Sequence, residues 1–392
     1  MNVSTSTTTI PTKITTTFST DTTARELDAT AKESELLRFL ESEIRLKSGV
    51  HSKSEIRNPQ PATRNEKVGI ALLNFGGPWT LYDVKPFLYR LFSNPSVLVG
   101  VPAPLRQLIA FTIAQVKGAS SIKSYQLIGG GSPQLKWTHM QAEGLRRELS
   151  RGARVCVRVE VGMRSAEPSI ENALRELKQW GAERLVVLPL FPHFSTTTTG
   201  TCLQEVRDAL RRLGWQPPTR EIIHYPDHPS YAALLRRTVD EALERAEAER
   251  GAATDATDPI HVLFSAHSLP MKIVKRGDPY PSDIARTVGA VARGLRHPWS
   301  LCFQSRNGRM PWLEPYLEDE IARLAGEGVR RLVVAPISFV SDHIETLFEL
   351  DQLYAGQARA CGVTHYYRAR AFNGDPEFPR VLRSVLAEAQ LC

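Results

Sequence analysis

Two short segments place imidazoles and carboxylates where a buried strand gives way to a turn. Ser265-Ala266-His267-Ser268-Leu269-Pro270 follows the apolar run 260–264, and Ser341-Asp342-His343-Ile344-Glu345-Thr346-Leu347 follows the run 332–334. In an α/β protein such turns form the edge of the sheet at which small ligands bind. A histidine on one segment, and a histidine with carboxylates on the other, could take up protons and hold a divalent metal across one cleft. If the chain is helical from Asp342 onward, Glu345 and Glu349 share a face at i, i+4 and form a carboxylate ladder for protons or a hydrated cation. Taken alone, His267 reads equally as a hydrogen-bonded residue at a strand end, and the two glutamates as a solvated helix face.

The elements that must position these groups alternate along the chain. Short apolar strands are expected at 68–74, 155–162, 185–188, 221–225, 260–265, 300–304 and 332–335, with amphipathic helices between them. That alternation is the signature of parallel sheets covered on both faces. Gly181-Ala182-Glu183-Arg184-Leu185-Val186-Val187-Leu188-Pro189 is echoed by Gly328-Val329-Arg330-Arg331-Leu332-Val333-Val334-Ala335-Pro336, and Leu72 to Pro78 more weakly by Phe264 to Pro270. The self-similarity predicts an α/β fold of two similar Rossmann-like halves, 67–225 and 226–392, each a parallel sheet flanked by helices, with the active-site cleft between them. Turns of the first half carry Phe75 and the hydroxyls of Ser195 to Thr199, whereas those of the second carry His267, Asp342, His343 and Glu345. One wall grips and the other reacts.

At these residues the sequence resembles the ferrochelatase family, whose members insert Fe²⁺ into a porphyrin to make haem. The resemblance runs from Val68 to about Leu386 through Leu73-Asn74-Phe75-Gly76-Gly77-Pro78, Ile128-Gly129-Gly130-Gly131-Ser132-Pro133, Leu188 to Ser195, Phe264 to Pro270, Gln304-Ser305-Arg306 and, longest, Pro336 to Leu347. It implies a chelatase-like fold and release of two pyrrole protons as Fe²⁺ enters the ring, which calls for a base over one face and walls that hold the macrocycle distorted. By resemblance, His267 accepts a pyrrole proton or handles the metal and Glu345 is the catalytic carboxylate. His343 and Asp342 support it, while Glu349 and His193 are further metal contacts. Tyr125, Ser132, Phe75, Phe339 and Trp312 line the porphyrin site, and Arg164 meets a propionate. Arg164 reads equally as a surface arginine at a helix end, His193 as a helix cap, and Phe75 and Trp312 as core aromatics.

The chain departs from the family at three positions. Leu353 stands where relatives often carry a further acid, and Phe75 where they commonly have Met or Leu. Thr196 replaces the internal cysteine with which animal relatives ligate a [2Fe-2S] cluster. With Thr196 there, and with the sequence stopping at Cys392, four thiolates do not assemble, so no cluster and no other bound cofactor is expected. Two rival readings stay open: a chelatase for another tetrapyrrole or metal, and a non-catalytic haem- or porphyrin-binding protein. The latter would be expected to lose His267 or Glu345.

Composition bounds the rest. With 392 residues and a 42% hydrophobic fraction the chain can bury a real core. A net charge of +7 favours acidic partners such as porphyrin carboxylates or anionic lipid. No aromatic stripe interleaves the scattered arginines, which argues against nucleic acid. Five cysteines without a Cys-x-x-Cys suit reduced thiols in the cytoplasm. Residues 1–66 read as a low-complexity, largely disordered extension with a short amphipathic helix at 31–47. Asp21, Glu26 and Asp28 argue against a transit peptide. No run approaches the ~18 apolar residues of a spanning helix. Residues 97–116 instead form either an apolar lip able to touch a bilayer surface at the pocket mouth or a helix packed on the core. A monomer or a homodimer fits equally.

Overall fold

The computed structural model describes residues 66–389 apart from 96, 99, 152–155, 251–258 and 309. The expected helix at 31–47 and all but the last residue of the N-terminal extension lie outside this set, as does Cys392. Strand β1 (Lys67–Asn74) is an almost unbroken apolar run, buried from Val68 onward, as a strand covered on both faces must be. It pairs in parallel with β2 (Cys156–Met163) on one side and β3 (Arg184–Pro189) on the other, and β3 pairs with β4 (Thr219–Glu221). The second half repeats the design with β5 (Ile260–His267), β6 (Trp299–Gln304), β7 (Arg331–Pro336) and β8 (His365–Arg368). The strand orders are β2-β1-β3-β4 and β6-β5-β7-β8. Strand order therefore reverses beside β1 and beside β5, and the crevice beyond the carboxyl ends at such a reversal is the natural ligand site.

The helices between the strands are α1 (Val84–Phe92), α2 (Ala103–Leu127), α3 (Gln134–Ser150), α4 (Ile170–Trp180), α5 (Thr199–Arg212) and α6 (Pro229–Arg250), followed in the second half by α7 (Tyr280–Ala292), α8 (Leu317–Gly326), α9 (Ala355–Ala360) and α10 (Phe378–Glu388). The echoed glycines explain why the copies begin alike. Gly181 (φ +83°) and Gly328 (φ +91°) each end a helix in the left-handed conformation just before a strand, a turn that other residues enter only at a cost of ~1–2 kcal/mol. Helix α4 is also fixed at its start, where the Ser169 hydroxyl accepts the Asn172 amide at 3.2 Å.

Alternate residues along each central strand face different layers. Ala71 and Leu73 pack with Leu174, Leu177 and Val206 on the outside of the first sheet. Leu263, Val334 and Leu332 pack with Ile321, Leu350 and Ala358 on the outside of the second. Ile70, Leu72, Val262, Phe264 and Val333 instead belong to a single apolar cluster that joins both sheets through Tyr231, Ile284 and Leu382. Phe264, wholly buried with its ring centroid 5.8 Å from that of Trp299, contributes roughly 3 kcal/mol by leaving water.

All seven expected strands are present, one of them shifted, and an eighth was not expected. The strand expected at 221–225 ends at Glu221, because the Ile222 amide still reaches Val187 but the chain then turns so that the Tyr225 amide meets Pro192. Strand β8 has no apolar run to announce it: His-Tyr-Tyr-Arg is an edge strand with three half-buried residues.

Candidate active site

The turns beyond β1, β3, β5 and β7 lie at the carboxyl ends of the two parallel sheets. The first of them is shaped by glycine. Ser132, in the Gly129-Gly130-Gly131-Ser132 loop, gives its amide to the Pro78 carbonyl at 2.7 Å. A Cβ on Gly77 would lie 2.6 Å from the Ser132 Cβ, and one on Gly131 only 2.1 Å from the Trp79 carbonyl oxygen. The two glycine motifs are thus the two halves of one close contact, which sets Ser132 against Gly77 and Pro78 just beyond β1.

His267 is the last residue of β5, in register with Gln304 of β6. Its amide donates to the Ser338 hydroxyl at 3.0 Å and its Nδ1 lies 2.5 Å from the Ser268 carbonyl. A carbonyl can only accept, so Nδ1 carries a proton and the neutral imidazole has its lone pair on Nε2. Nε2 lies 3.7 Å from Glu345 Oε2, and both side chains are partly open to solvent. The imidazole and the carboxylate therefore meet, both on turns of the second half beyond the paired strands β5 and β7.

Glu345 begins a π-helix, Glu345–Tyr354. The sequence predicts an ordinary helix here; the wider i→i+5 form is rare and concentrates at functional sites. It still sets Glu345 and Glu349 on one side, where the Ser305 hydroxyl reaches Glu345 Oε2 at 3.2 Å and Glu349 Oε2 at 2.5 Å. Burial, reinforced by the neighbouring Glu345 charge, pushes the Glu349 carboxyl up to about 8. Glu349 accordingly holds its proton at neutral pH. The row of carboxylates ends there, for Leu353 points to solvent.

His343 is buried beneath Phe339, ring centroids 4.5 Å apart, with Nδ1 3.1 Å from the Ser341 carbonyl and Nε2 3.9 Å from Glu345 Oε1. Burial lowers its basicity, so it is neutral. Asp342 faces elsewhere: Arg368 and Asn373 hold its carboxylate at 3.0 and 2.7 Å. Tyr125, from α2 in the first half, is buried within reach of the Glu345 charge, and burial first and that charge second keep its hydroxyl protonated. Helix α2 thus packs against the segment that carries Glu345, with Ile344 joining the cluster of Ala114 and Tyr125. Lys117 donates to Asn307 at 3.1 Å, tying α2 to the loop that carries Trp312, whose indole donates to the Asn307 carbonyl at 3.0 Å.

Two expected contacts lie farther off. Arg164 pairs with Glu205 at 3.5 Å. His193 is buried between the halves, 2.7 Å from the Thr287 hydroxyl, and burial lowers its imidazole to about 4; its ring and that of Tyr280 stand edge to face, centroids 6.0 Å apart. Among the described residues no three His, Cys, Asp or Glu side chains form a metal-holding group.

Sequence reasoning missed Ser305, Ser338 and Tyr280. Ser305 sits in a quoted motif, but its role comes from a left-handed backbone, φ +65°, which a sequence does not print.

The ferrochelatase family profile matches residues 67–390. The chain is 40% identical over 323 residues to the ferrochelatase of Synechococcus sp. (strain RCC307), covering 80% of each protein. It is 36% identical to that of Desulfotalea psychrophila, covering 84% of this chain and 99% of that one. It is 35% identical to the mitochondrial ferrochelatase of Gallus gallus, covering 89% and 87%. The conjunction of turns, imidazoles and carboxylates described above is thus that of a porphyrin-metallating enzyme, and the chain belongs to the ferrochelatase family.

Proposed function

We propose that His267 and Glu345 carry out the insertion of Fe²⁺ into a porphyrin lying in the crevice, with Glu345, Ser305 and Glu349 as the route by which protons leave. The close approach of His267 Nε2 to Glu345 across the two turns supports this reading above all. The free lone pair on Nε2 can take a pyrrole proton directly, and Glu345 stabilises the imidazolium that results. Ser305 has one proton to give and touches both carboxylates. A proton arriving at Glu345 can pass to Ser305 while Ser305 gives its own to Glu349, once Glu349 has lost its proton outward. With Glu349 neutral and His343 uncharged, the pocket carries the single negative charge of Glu345, enough to attract Fe²⁺ and too little to trap it.

Phe75, Phe339 and Trp312 serve as walls for the flat ring, and Tyr125 and Ser132 as its polar edge. Asp342 acts through the backbone, anchoring the π-helix approach to Arg368. Arg164, held by Glu205, would meet a propionate only by leaving that partner, and His193 is a wall residue whose metal contact requires an opening at Tyr280.

The favoured substrate in this reading is protoporphyrin IX, the less carboxylated candidate, because Leu105, Leu108, Phe111 and Val116 expose an apolar face on α2 at the entrance. The same face fits peripheral contact with a bilayer by a cytoplasmic protein; no helix among the described residues is long and apolar enough to cross one. We infer no [2Fe-2S] cluster, since Thr196 gives both its amide and its hydroxyl to Asp278, each at 2.7 Å, and so holds a structural post.

The test is anaerobic incubation with Fe²⁺ and either protoporphyrin IX or coproporphyrin III, following loss of porphyrin fluorescence. Loss of a general base costs ~10²–10⁴-fold, and His267→Ala is expected in that range with protoporphyrin preferred. Unchanged turnover in the variant would remove His267 from its role, and a steep preference for coproporphyrin would overturn the substrate assignment.

A further inference from the structure

Asn373 stands in the turn after β8, half-buried, with its backbone in the left-handed region at φ +50°, which asparagine enters more readily than most residues that carry a side chain. From there it holds the three residues that precede His343. Its amide donates to the Val340 carbonyl at 3.1 Å. Its Oδ1 accepts the Asp342 amide at 2.8 Å, and its Nδ2 donates to Asp342 Oδ2 at 2.7 Å. A backbone amide can only donate and an ionised carboxylate only accept, so both contacts demand the same orientation of the carboxamide. Gln141, buried on α3 of the first half, adds a second grip by donating to the Asn373 carbonyl at 2.8 Å and to the Ser341 hydroxyl at 2.9 Å. The turn itself is anchored, for Phe372 packs on Tyr231 and Phe378 with ring centroids 5.9 and 4.9 Å apart.

Resting on the assignment of His267 and Glu345 above, we propose that Asn373 is a positioning residue of the reaction, whose carboxamide holds residues 340–342 so that the turn they begin carries Glu345 to His267. The segment needs such a hold. Its His343 amide is spent on the Thr346 hydroxyl at 3.0 Å, so the start of the π-helix is tied to itself and takes its position from outside contacts. Gln304 grips the Glu345 carbonyl from β6 at 3.3 Å, and Asn373 grips the chain at Asp342, three residues earlier. Two such points fix a direction where one does not. Arg368 also reaches Asp342, but through a long side chain shared with Asp351 of the π-helix itself. Asn373 reaches it with a short one, from a turn seated in the core.

The experiment exchanges donor and acceptor within the pair. Asn373→Asp sets two carboxylates face to face, and Asp342→Asn turns its new amino group toward either Asn373 or Arg368, both of them donors. The double variant Asp342→Asn, Asn373→Asp restores every contact, because the side chain at 342 then donates to the one at 373 while its oxygen still accepts from Arg368. Steady-state rates with Fe²⁺ and protoporphyrin are measured well below each melting temperature, beside Asn373→Gly, which keeps the left-handed backbone and removes only the carboxamide, and beside His267→Ala. Misplacing a reacting group by about 1 Å costs on the order of 100-fold. Asn373→Gly and each single exchange variant are therefore expected to lose about 10- to 100-fold in kcat with KM for porphyrin unchanged, and the double variant to recover kcat to within about threefold of wild type. Full kcat in Asn373→Gly, a loss carried by KM instead of kcat, or a double variant no faster than the single ones would overturn this inference. Because the exchange keeps the shape of both side chains, it decides the question even where Asn373→Gly folds poorly. Full activity in His267→Ala would instead overturn the assignment beneath it.

Discussion

A hydroxyl has one proton, and Ser305 has two carboxylates competing for it. Its left-handed backbone costs ~1–3 kcal/mol, a strain tolerated because β6 ends at Gln304, whose amide side chain holds the Glu345 carbonyl at 3.3 Å. Glycine removes the strain together with the hydroxyl, while alanine removes only the hydroxyl. Ser305→Gly should therefore melt at or above the wild-type temperature, Ser305→Ala at or below it, and both should lose about tenfold in kcat. A variant pair whose activities followed their stabilities instead would show that Ser305 merely braces the turn. His267 and Glu345 could be found from the sequence because their types are rare at strand ends and chemically explicit. Ser305 could not, because serines are common and what distinguishes this one is a dihedral angle.

At the scale of the element, the π-helix decides how the carboxylates behave. The i, i+4 spacing was legible and correctly put Glu345 and Glu349 together, but the helix type was not, because the wider turn depends on Leu350 and Tyr354 seating in the outer core of the second sheet. That seating buries Glu349 and raises its carboxyl from 4.5 to about 8. The unfolded chain loses this proton near 4.5 while the folded one keeps it to about 8, so between these limits the folded state binds more protons and stability falls as pH rises. Glu349→Gln has no proton to lose. The variant should gain melting temperature over wild type at about pH 8 and show no such gain at about pH 4.5; a constant difference across the range would mean that Glu349 titrates normally. The strands illustrate the same limit differently. Apolar runs marked β1, β3, β5 and β7 clearly, and the Gly-to-Pro echo marked the shared topology, whereas β8, short and half polar, was silent.

Across the whole molecule, the division into halves at about residue 225 describes topology better than thermodynamics. A single apolar cluster joins the two sheets, and α10, last in the second half, packs against α3 in the first. The seam is polar as well. Asp278, wholly buried, accepts the Ser195 hydroxyl and the Thr196 amide and hydroxyl from the first half while holding the Tyr280 amide of the second. Gln141 of α3 reaches Ser341 and the Asn373 carbonyl at 2.9 and 2.8 Å, bracing the catalytic segment from the opposite half. Because neither half completes its core or its crevice alone, calorimetry should give one unfolding transition rather than two. Asp278→Asn keeps the shape but gives up half of the acceptor capacity. Hydrogen bonds to a charged group contribute about 1.5–3 kcal/mol, so the variant should shift that single transition downward by several degrees. Two separate transitions in wild type, or a shift in only part of the signal in Asp278→Asn, would mean that the halves fold independently and meet only through the ligand. One transition that moves as a unit would mean that the residues of the crevice are held in place by the same interactions that fold the chain.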